Sequence, residues 1–156
     1  MGTIKAVLVG VCEYPALKAP SLPFCKNDLY ATKDALQSGL CVAQKNILLC
    51  GENGTVTINE MLNTIKTVLS TANPDDILIF YFSGHGGKNC LALSDGKVNL
   101  QLYCFNTSRN ASYLSLLLPS VVEESVILHV KAAFNVSSLN SKKEIWLRHI
   151  GFASLT

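Results

Sequence analysis

The sequence predicts an α/β fold with a mostly parallel sheet, and three observations support this prediction. Three short apolar runs have the length and the branched or aromatic character of buried strands. The two segments between these runs repeat apolar residues at helical spacing. The resulting order of strand, helix, strand, helix, strand is typical of βαβ units with right-handed crossovers. With 156 residues, 49% of them apolar and 15% charged, the chain can form one globular domain.

The first predicted element is a buried strand, Ile4 to Val11, and Gly10 allows the backbone to leave it. The stretch from Tyr14 to Pro23 contains three prolines, so it is predicted to be a loop. A first helix follows, because Asn27 or Asp28 can cap its amino end. The helix is predicted to extend to about Ser38, with Gly39 as its stop signal. Its apolar face is predicted to contain Leu29, Thr32, Ala35 and Leu36.

A second short strand, Asn46 to Cys50, and a turn at Gly51 to Gly54 separate the two predicted helices. The second helix opens with the capping box Thr57-Ile58-Asn59-Glu60, and Asn73-Pro74 ends it. After the third apolar run, the residues from Cys90 to Leu100 predict a hairpin on an Asp-Gly turn. The buried stripe of the second helix is predicted to contain Ile58, Met61, Leu62, Ile65, Val68 and Leu69.

The third apolar run, Ile77 to Phe82, lies between Asp75-Asp76 and the turn Ser83-Gly84-His85-Gly86-Gly87. It predicts a strand that is buried on both faces. In open α/β sheets, chemistry gathers just past the carboxyl ends of such strands. His85 lies there, between glycines that allow backbone and substrate to approach closely. It is therefore the candidate functional residue, and a structural histidine in a turn is the alternative. The acidic pair is interpreted as a strand-opening turn.

The segment from Asp75 to Gly86, with its Phe-Tyr-Phe-Ser-Gly-His-Gly ending, resembles the histidine motif of caspase-like cysteine proteases, and of metacaspases and their bacterial relatives in particular. The resemblance implies that His85 activates a cysteine nucleophile and that the backbone N–H of Gly86 contributes to the oxyanion hole. It also implies a caspase-like three-layer α/β/α sandwich, a peptide or protein substrate, and no cofactor.

A second segment, Leu22 to Asp28, is similar to the Cys-x-x-Asp segment that follows the first strand of metacaspases. In that family the cysteine and the aspartate line the pocket for the substrate residue before the scissile bond. The resemblance thus implies that Cys25, Asp28 and Ser83 bind substrate. A carboxylate at the floor of the pocket would select Arg or Lys by charge pairing. A simple helix cap is the alternative role of Asp28, and both roles are compatible.

The resemblance covers about residues 3 to 100 and does not include a nucleophile. In the family, a further buried strand ends in a motif such as Asp-x-Cys-x-(Ser/Gly)-Gly, whose cysteine lies about 50 residues after the histidine. The run Val126 to Ala133 falls in the corresponding place. It has His129 in the position of the pocket aspartate and Lys131 in the position of the nucleophile. Lysine cannot replace a thiolate.

Three explanations of the missing nucleophile stay open at this level. Cys90 or Cys104 could supply the thiolate, although neither has a glycine-rich context. His129 could pair with another group. Finally, the chain could be truncated or change reading frame after its core, residues 1–100, so that residues 101–156 form a divergent part of the same domain. Two functions follow: a cysteine-type endopeptidase that prefers Arg or Lys before the scissile bond, or a catalytically dead relative that acts as a regulatory or binding module.

Composition argues against several other partners. A net charge of +2 without a basic cluster argues against nucleic acid, and no segment is long and apolar enough to span a membrane. The three histidines lack ligand partners at suitable spacing, so no metal is expected. The six cysteines are irregularly spaced, and several lie in apolar runs, which favours free thiols in the cytoplasm. Self-association through an open sheet edge is also expected.

Overall fold

The computed structural model describes residues 2–73, 75–87, 90–99, 106–107, 110–111 and 126–135, with side chains as far as Val98. Two helices and a 3₁₀ turn occur in this part of the chain, together with eight strands. In chain order the elements are β1 (Ile4–Gly10), α1 (Cys25–Leu40), the 3₁₀ turn (Gln44–Asn46), β2 (Ile47–Cys50), α2 (Ile58–Thr71), β3 (Ile77–Gly87), β4 (Cys90–Leu93), β5 (Gly96–Asn99), β6 (Asn106–Thr107), β7 (Asn110–Ala111) and β8 (Val126–Asn135).

The main sheet is mixed and is centred on β3. Strand β1 lies between β2 and β3 and pairs with both of them in parallel. Strand β4 turns back from the end of β3 and pairs with β5, and both pairings are antiparallel. Strand β8 also pairs antiparallel with β3, from Ile77 to Gly86. The predicted α/β class is therefore confirmed. Within the described residues the sheet is mixed rather than mostly parallel, because β4, β5 and β8 pair antiparallel, and its parallel part consists of β2, β1 and β3.

The two helices pack against opposite faces of this sheet, because successive side chains of a strand point to opposite sides. The buried cluster on the α1 side includes Ala6, Leu8, Leu29, Leu36, Ile47 and Tyr81. The buried cluster on the α2 side includes Val7, Val9, Met61, Ile65, Val68 and Phe80. Helix α2 thus packs the apolar stripe that its spacing predicted against the sheet. Helix α1 buries Leu29 and Leu36, whereas Ala35, predicted on the same face, is exposed, and the helix continues past the predicted stop to Leu40. Strand β1 is covered on both faces. The three-layer description of the whole domain stays a prediction.

The predicted start of α1 is wrong, whereas the predicted start of α2 is confirmed. Helix α1 begins at Cys25, after Phe24, whose side chain has no capping atom, so neither Asn27 nor Asp28 is the N-cap. The Asp28 carboxylate instead accepts a hydrogen bond from β3. Helix α2 begins after Thr57, whose hydroxyl oxygen accepts a hydrogen bond from the Glu60 N–H at 3.1 Å. The hairpin predicted on an Asp-Gly turn is formed by β4 and β5.

The acidic pair before β3 has a structural role, as predicted, through Asp76. Its buried carboxylate accepts hydrogen bonds from the backbone N–H groups of Asn73, at 2.9 Å, and Thr3, at 2.7 Å. It also accepts one from the Thr3 hydroxyl, and the Lys5 ammonium lies 3.5 Å away. These bonds lower the pKa of Asp76 to about 2. Asp76 therefore joins the amino end of β1 to that of β3. Throughout the described residues, no helix has the length and apolarity that crossing a membrane requires.

Candidate functional site

The candidate site lies where β1 and β3 end, since the loops that follow parallel strands meet at one edge of a sheet. The last paired residues of these strands are Gly10 and Ser83. One further backbone bond, from the Val11 N–H to the Ser83 oxygen at 2.9 Å, continues the ladder. His85 follows two residues later on β3. The prediction of a turn from Ser83 to Gly87 is wrong, because these residues pair with β4 and β8 and continue β3 to Gly87. His85 therefore lies within β3, near its carboxyl end.

His85 is held through both its ring and its backbone. Its Nε2 atom lies 2.9 Å from the carbonyl oxygen of Pro20, and its backbone N–H donates to the Tyr14 hydroxyl at 2.8 Å. A carbonyl can only accept, so this contact places a proton on Nε2 and leaves Nδ1 to accept one. The side chain is partly exposed. This arrangement suits a general base, because one nitrogen orients the ring while the other faces no hydrogen-bond partner among the described residues.

Tyr14, which the sequence placed only in a loop, is the second key residue of the site. Its buried hydroxyl donates to the Val11 carbonyl at 2.7 Å while it accepts from His85. Its ring centroid lies 4.7 Å from that of His85, with the planes inclined by 58°. Burial raises the pKa of Tyr14 far above its ordinary value, so the phenol stays protonated. Gly84 was the one signal in the sequence, because a Cβ there would lie 2.6 Å from the Tyr14 hydroxyl oxygen.

The loop that carries Pro20 to the histidine is closed by several hydrogen bonds. The Leu22 N–H donates to the Cys12 carbonyl at 2.8 Å, which joins the two ends of the loop. Beside this pair, the Ser21 hydroxyl donates to the Glu13 carboxylate at 2.6 Å. Backbone polar groups that are paired in this way hold a loop in one conformation. The position of the Pro20 carbonyl is thus determined by the loop rather than by His85 alone.

The three predicted pocket residues come together at the junction of α1 and β3. The Ser83 hydroxyl donates to the Asp28 carboxylate at 2.7 Å. Burial raises the pKa of Cys25 to about 11, against the opposite effect of a hydrogen bond with Ser83. Gly10 permits this close approach of α1 to β1, because a Cβ on it would lie 2.8 Å from the Cys25 carbonyl oxygen. A carboxylate, a hydroxyl and a neutral thiol therefore share one corner of the site.

The described cysteines do not include an activated thiol beside His85. Burial raises the pKa of Cys50 as well as that of Cys25, which favours the thiol over the thiolate. Cys12 is also buried, whereas Cys41 is exposed at the far end of α1. Cys90, on β4, is half-buried and lies opposite Gly87 of β3. No cysteine in the described part of the chain is hydrogen-bonded to the His85 ring. Cys104 lies outside the described residues.

The direction of β8 separates Lys131 from the histidine. Because β8 runs antiparallel to β3, its first residues, Val126 and Ile127, lie opposite Gly86 and His85. Lys131 lies opposite Tyr81, four residues earlier on β3, and His129 lies opposite Ser83. The placement of Lys131 at the nucleophile position beside the histidine is therefore wrong, because it assumed a strand that ends, rather than begins, at this edge. The oxyanion role of Gly86 stays a prediction.

Two further findings concern metals and relatives. The described residues contain no group of three or more His, Cys, Asp or Glu side chains that could hold a metal ion. A family model described as metacaspase, peptidase C14 domain, matches residues 4–124. A search of curated proteins finds no match. The family-model match extends to residue 124, beyond the range of about residues 3 to 100 that the motifs cover. The division of the chain at residue 100 stays a prediction.

Proposed function

The chain belongs to the metacaspase, peptidase C14 family, and from this premise we propose that its site recognises Arg or Lys in a peptide and is arranged for cysteine-type endopeptidase chemistry. The observation that carries the proposal is the hydrogen bond of 2.7 Å between the Ser83 hydroxyl and the Asp28 carboxylate, two residues before His85 on β3. The carboxylate supplies a negative charge within reach of a substrate that is bound beside His85.

The specificity follows from the charge and shape of this pair. Ser83 is fully buried and its hydroxyl binds one oxygen of the Asp28 carboxylate, which orients that group. A guanidinium or ammonium group bound there would form a charge-assisted hydrogen bond with the carboxylate. Cys25 is neutral at physiological pH, because its pKa is raised to about 11, so it adds an apolar wall and no second charge. An acidic substrate residue would be repelled.

The proposed chemical roles are those of His85 and Gly86. With Nε2 bound to the Pro20 carbonyl, Nδ1 of His85 would accept the proton of an attacking thiol. The thiolate sulfur would then form a bond to the substrate carbonyl carbon, and the carbonyl oxygen would become an oxyanion. We assign the stabilisation of this oxyanion to the backbone N–H of Gly86. As the oxyanion collapses and the C–N bond breaks, His85 would return the proton to the leaving amine, and water would then hydrolyse the thioester to release the acid and the thiol.

A second function, a binding module without turnover, is supported by the cysteines. The pKa values of Cys25 and Cys50 are raised, and the run from Val126 to Ala133 contains no cysteine. A peptide would still bind through the carboxylate of Asp28. The protein would then act by holding or masking a basic segment of another chain.

Peptide hydrolysis tests the peptidase function. Purified protein is incubated, with reducing agent and with or without calcium, with fluorogenic peptides that end in Arg, Lys or Asp. We expect cleavage after Arg and Lys, a loss of this cleavage in His85→Ala, and a decrease of at least about tenfold in kcat/KM in Asp28→Asn, since a charged hydrogen bond is lost. A folded sample that cleaves no better than His85→Ala would contradict the peptidase function.

Peptide binding separates the second function from a loss of all function. Fluorescence anisotropy of a labelled Arg peptide, with an Asp peptide of equal length as the control, reports binding without turnover. Tighter binding of the Arg peptide that Asp28→Asn abolishes, in a protein that cleaves nothing, would establish the binding module. Equal binding of both peptides would contradict the proposed preference for basic residues under either function.

A further inference from the structure

The ladder between β1 and β3 is interrupted at the residue that carries the candidate base. In a parallel pair the hydrogen bonds alternate regularly between the strands. After the bond from the Val11 N–H to the Ser83 carbonyl, the next bond of that pattern would run from the His85 N–H to the Val11 carbonyl. The structure has no such direct bond. Both groups instead bind the Tyr14 hydroxyl, at 2.8 and 2.7 Å.

We propose that Tyr14 is a positioning residue for His85, whose hydroxyl replaces one rung of the β1–β3 ladder and whose ring fixes the plane of the imidazole. The proposal rests on the proposed role of His85 as the base. The phenol donates to one strand and accepts from the other, a combination that a single O–H group can satisfy. The phenol oxygen therefore lies between the Val11 carbonyl and the His85 N–H.

Two neighbouring features of the site agree with this role. Gly84 lies beside the inserted hydroxyl, and an added Cβ would come within 2.6 Å of the phenol oxygen and 2.9 Å of the Phe82 ring. The tilted ring contact of Tyr14 with His85, 4.7 Å between centroids, limits rotation of the imidazole. The Pro20 carbonyl, which belongs to the same loop as Tyr14, then meets Nε2. Backbone, ring plane and tautomer of His85 are thus set by one loop.

The first test compares Tyr14→Phe with the wild-type protein by NMR, at a pH where the His85 ring is neutral. We expect the ¹⁵N shifts of the wild-type ring to report the tautomer with the proton on Nε2. In Tyr14→Phe the ratio of this tautomer to the other should fall by about tenfold, and the His85 amide should exchange about tenfold faster, as the loss of one hydrogen bond predicts. Wild-type values of both quantities in Tyr14→Phe would overturn the proposal.

A matched control removes a hydroxyl elsewhere. Tyr30 lies on α1, and its phenol donates to the Glu52 carboxylate at 3.1 Å. Tyr30→Phe removes this hydroxyl and should leave both His85 signals unchanged. An equal response in Tyr30→Phe would show that the effect is not specific to Tyr14 and would also overturn the proposal.

A second variant keeps the test valid where Tyr14→Phe does not fold. Gly84→Ala retains the phenol but displaces it, and it should likewise lower the fraction of the Nε2-protonated tautomer. An unchanged tautomer ratio in folded Gly84→Ala would contradict the proposal. None of these readouts requires turnover, so an absence of peptide hydrolysis counts against the proposed peptidase function alone. Where hydrolysis is observed, the positioning role predicts a lower kcat with an unchanged KM in Tyr14→Phe.

Discussion

Asp76 and His85 lie near opposite ends of β3, and each is bound to a segment distant in sequence. The Asp76 carboxylate binds Thr3 and Asn73 at the amino end of the strand, whereas the His85 ring binds Pro20 at the carboxyl end. Thr3 directly precedes β1 and Pro20 lies in the loop that follows it, so the two contacts join β3 to the segments that flank β1. A single substitution at either end of β3 therefore acts on the β1–β3 pair rather than on one strand.

Replacing Asp76 by Asn is expected to lower stability in a pH-dependent manner. The pKa of Asp76 is lowered to about 2 from an ordinary value of 3.8, chiefly by its hydrogen bonds from backbone N–H groups. Its contribution is therefore fully present above about pH 4 and is lost as the pH falls through about 2. Urea unfolding should show a loss of about 2 kcal/mol at pH 7 that diminishes towards pH 2.

The neighbouring carboxylate is the control for this experiment. Asp75 is exposed, and Asp75→Asn should change the free energy of unfolding by less than about 0.5 kcal/mol. A loss in Asp76→Asn that is the same at pH 7 and at pH 3 would contradict the assignment of the effect to ionisation.

The secondary elements differ in how far their ends depend on local residues. Helix α2 has its own N-cap, since the Thr57 hydroxyl accepts from the Glu60 N–H, and Asp95 accepts from the Ile58 N–H at 2.9 Å. Helix α1 begins without a side-chain cap, after the exposed Phe24. Its start is held instead by packing of Cys25 and Leu29 against β1. Local substitutions should therefore affect the start of α2 more than that of α1.

Thr57→Ala is expected to lower the free energy of unfolding by about 1 kcal/mol, because it leaves the Glu60 N–H without its acceptor. Thermal or urea denaturation measures the change. Thr67→Ala is the matched control, since its hydroxyl only donates back to the Asn63 carbonyl within the helix and alanine is a better helix former. If the two variants lose equal stability, the cap has no special role.

The elements that periodicity determines could be predicted, whereas those that depend on distant partners could not. The apolar runs of β1 and β3 and the stripe of α2 follow from burial alone. The start of α1 does not, because the Asp28 carboxylate binds Ser83, 55 residues further along the chain. The gathering of Cys25, Asp28 and Ser83 was expected from the family resemblance. Tyr14 was not, since its role appears only when its loop meets His85 on β3, 71 residues further along the chain.

At the scale of the whole molecule, Ser94 joins three segments of the chain near the candidate site. Its buried hydroxyl donates to the Glu13 carbonyl at 2.7 Å and accepts from the Val56 N–H at 2.9 Å. Its backbone carbonyl accepts from the Ala16 N–H. The β4–β5 hairpin is thereby bound both to the loop that carries Tyr14 and to the loop before α2. The loop that carries Tyr14, and with it the contact to His85, is thus connected to two other segments.

Ser94→Ala should destabilise the protein by about 2 kcal/mol, because it leaves the buried Val56 N–H and the partly buried Glu13 carbonyl without this partner. The free energy of unfolding in urea measures this loss. Ser38→Ala is the control, since the Ser38 hydroxyl is exposed and bonds only to the Asp34 carbonyl one turn earlier. A Ser94→Ala variant as stable as this control would show that the two hydroxyl bonds do not contribute to holding the hairpin.

The Tyr14 oxygen between Val11 and His85 also bears on how quickly a peptide can bind. Because the Tyr14 hydroxyl bonds to both strands, the segment that carries His85 is already held in position before a peptide arrives. Binding then requires no slow opening step before encounter. Basic and acidic peptides would arrive at rates that differ little beyond electrostatic steering. Under the proposed specificity they would differ chiefly in residence time, which the Asp28 carboxylate would lengthen for basic peptides alone.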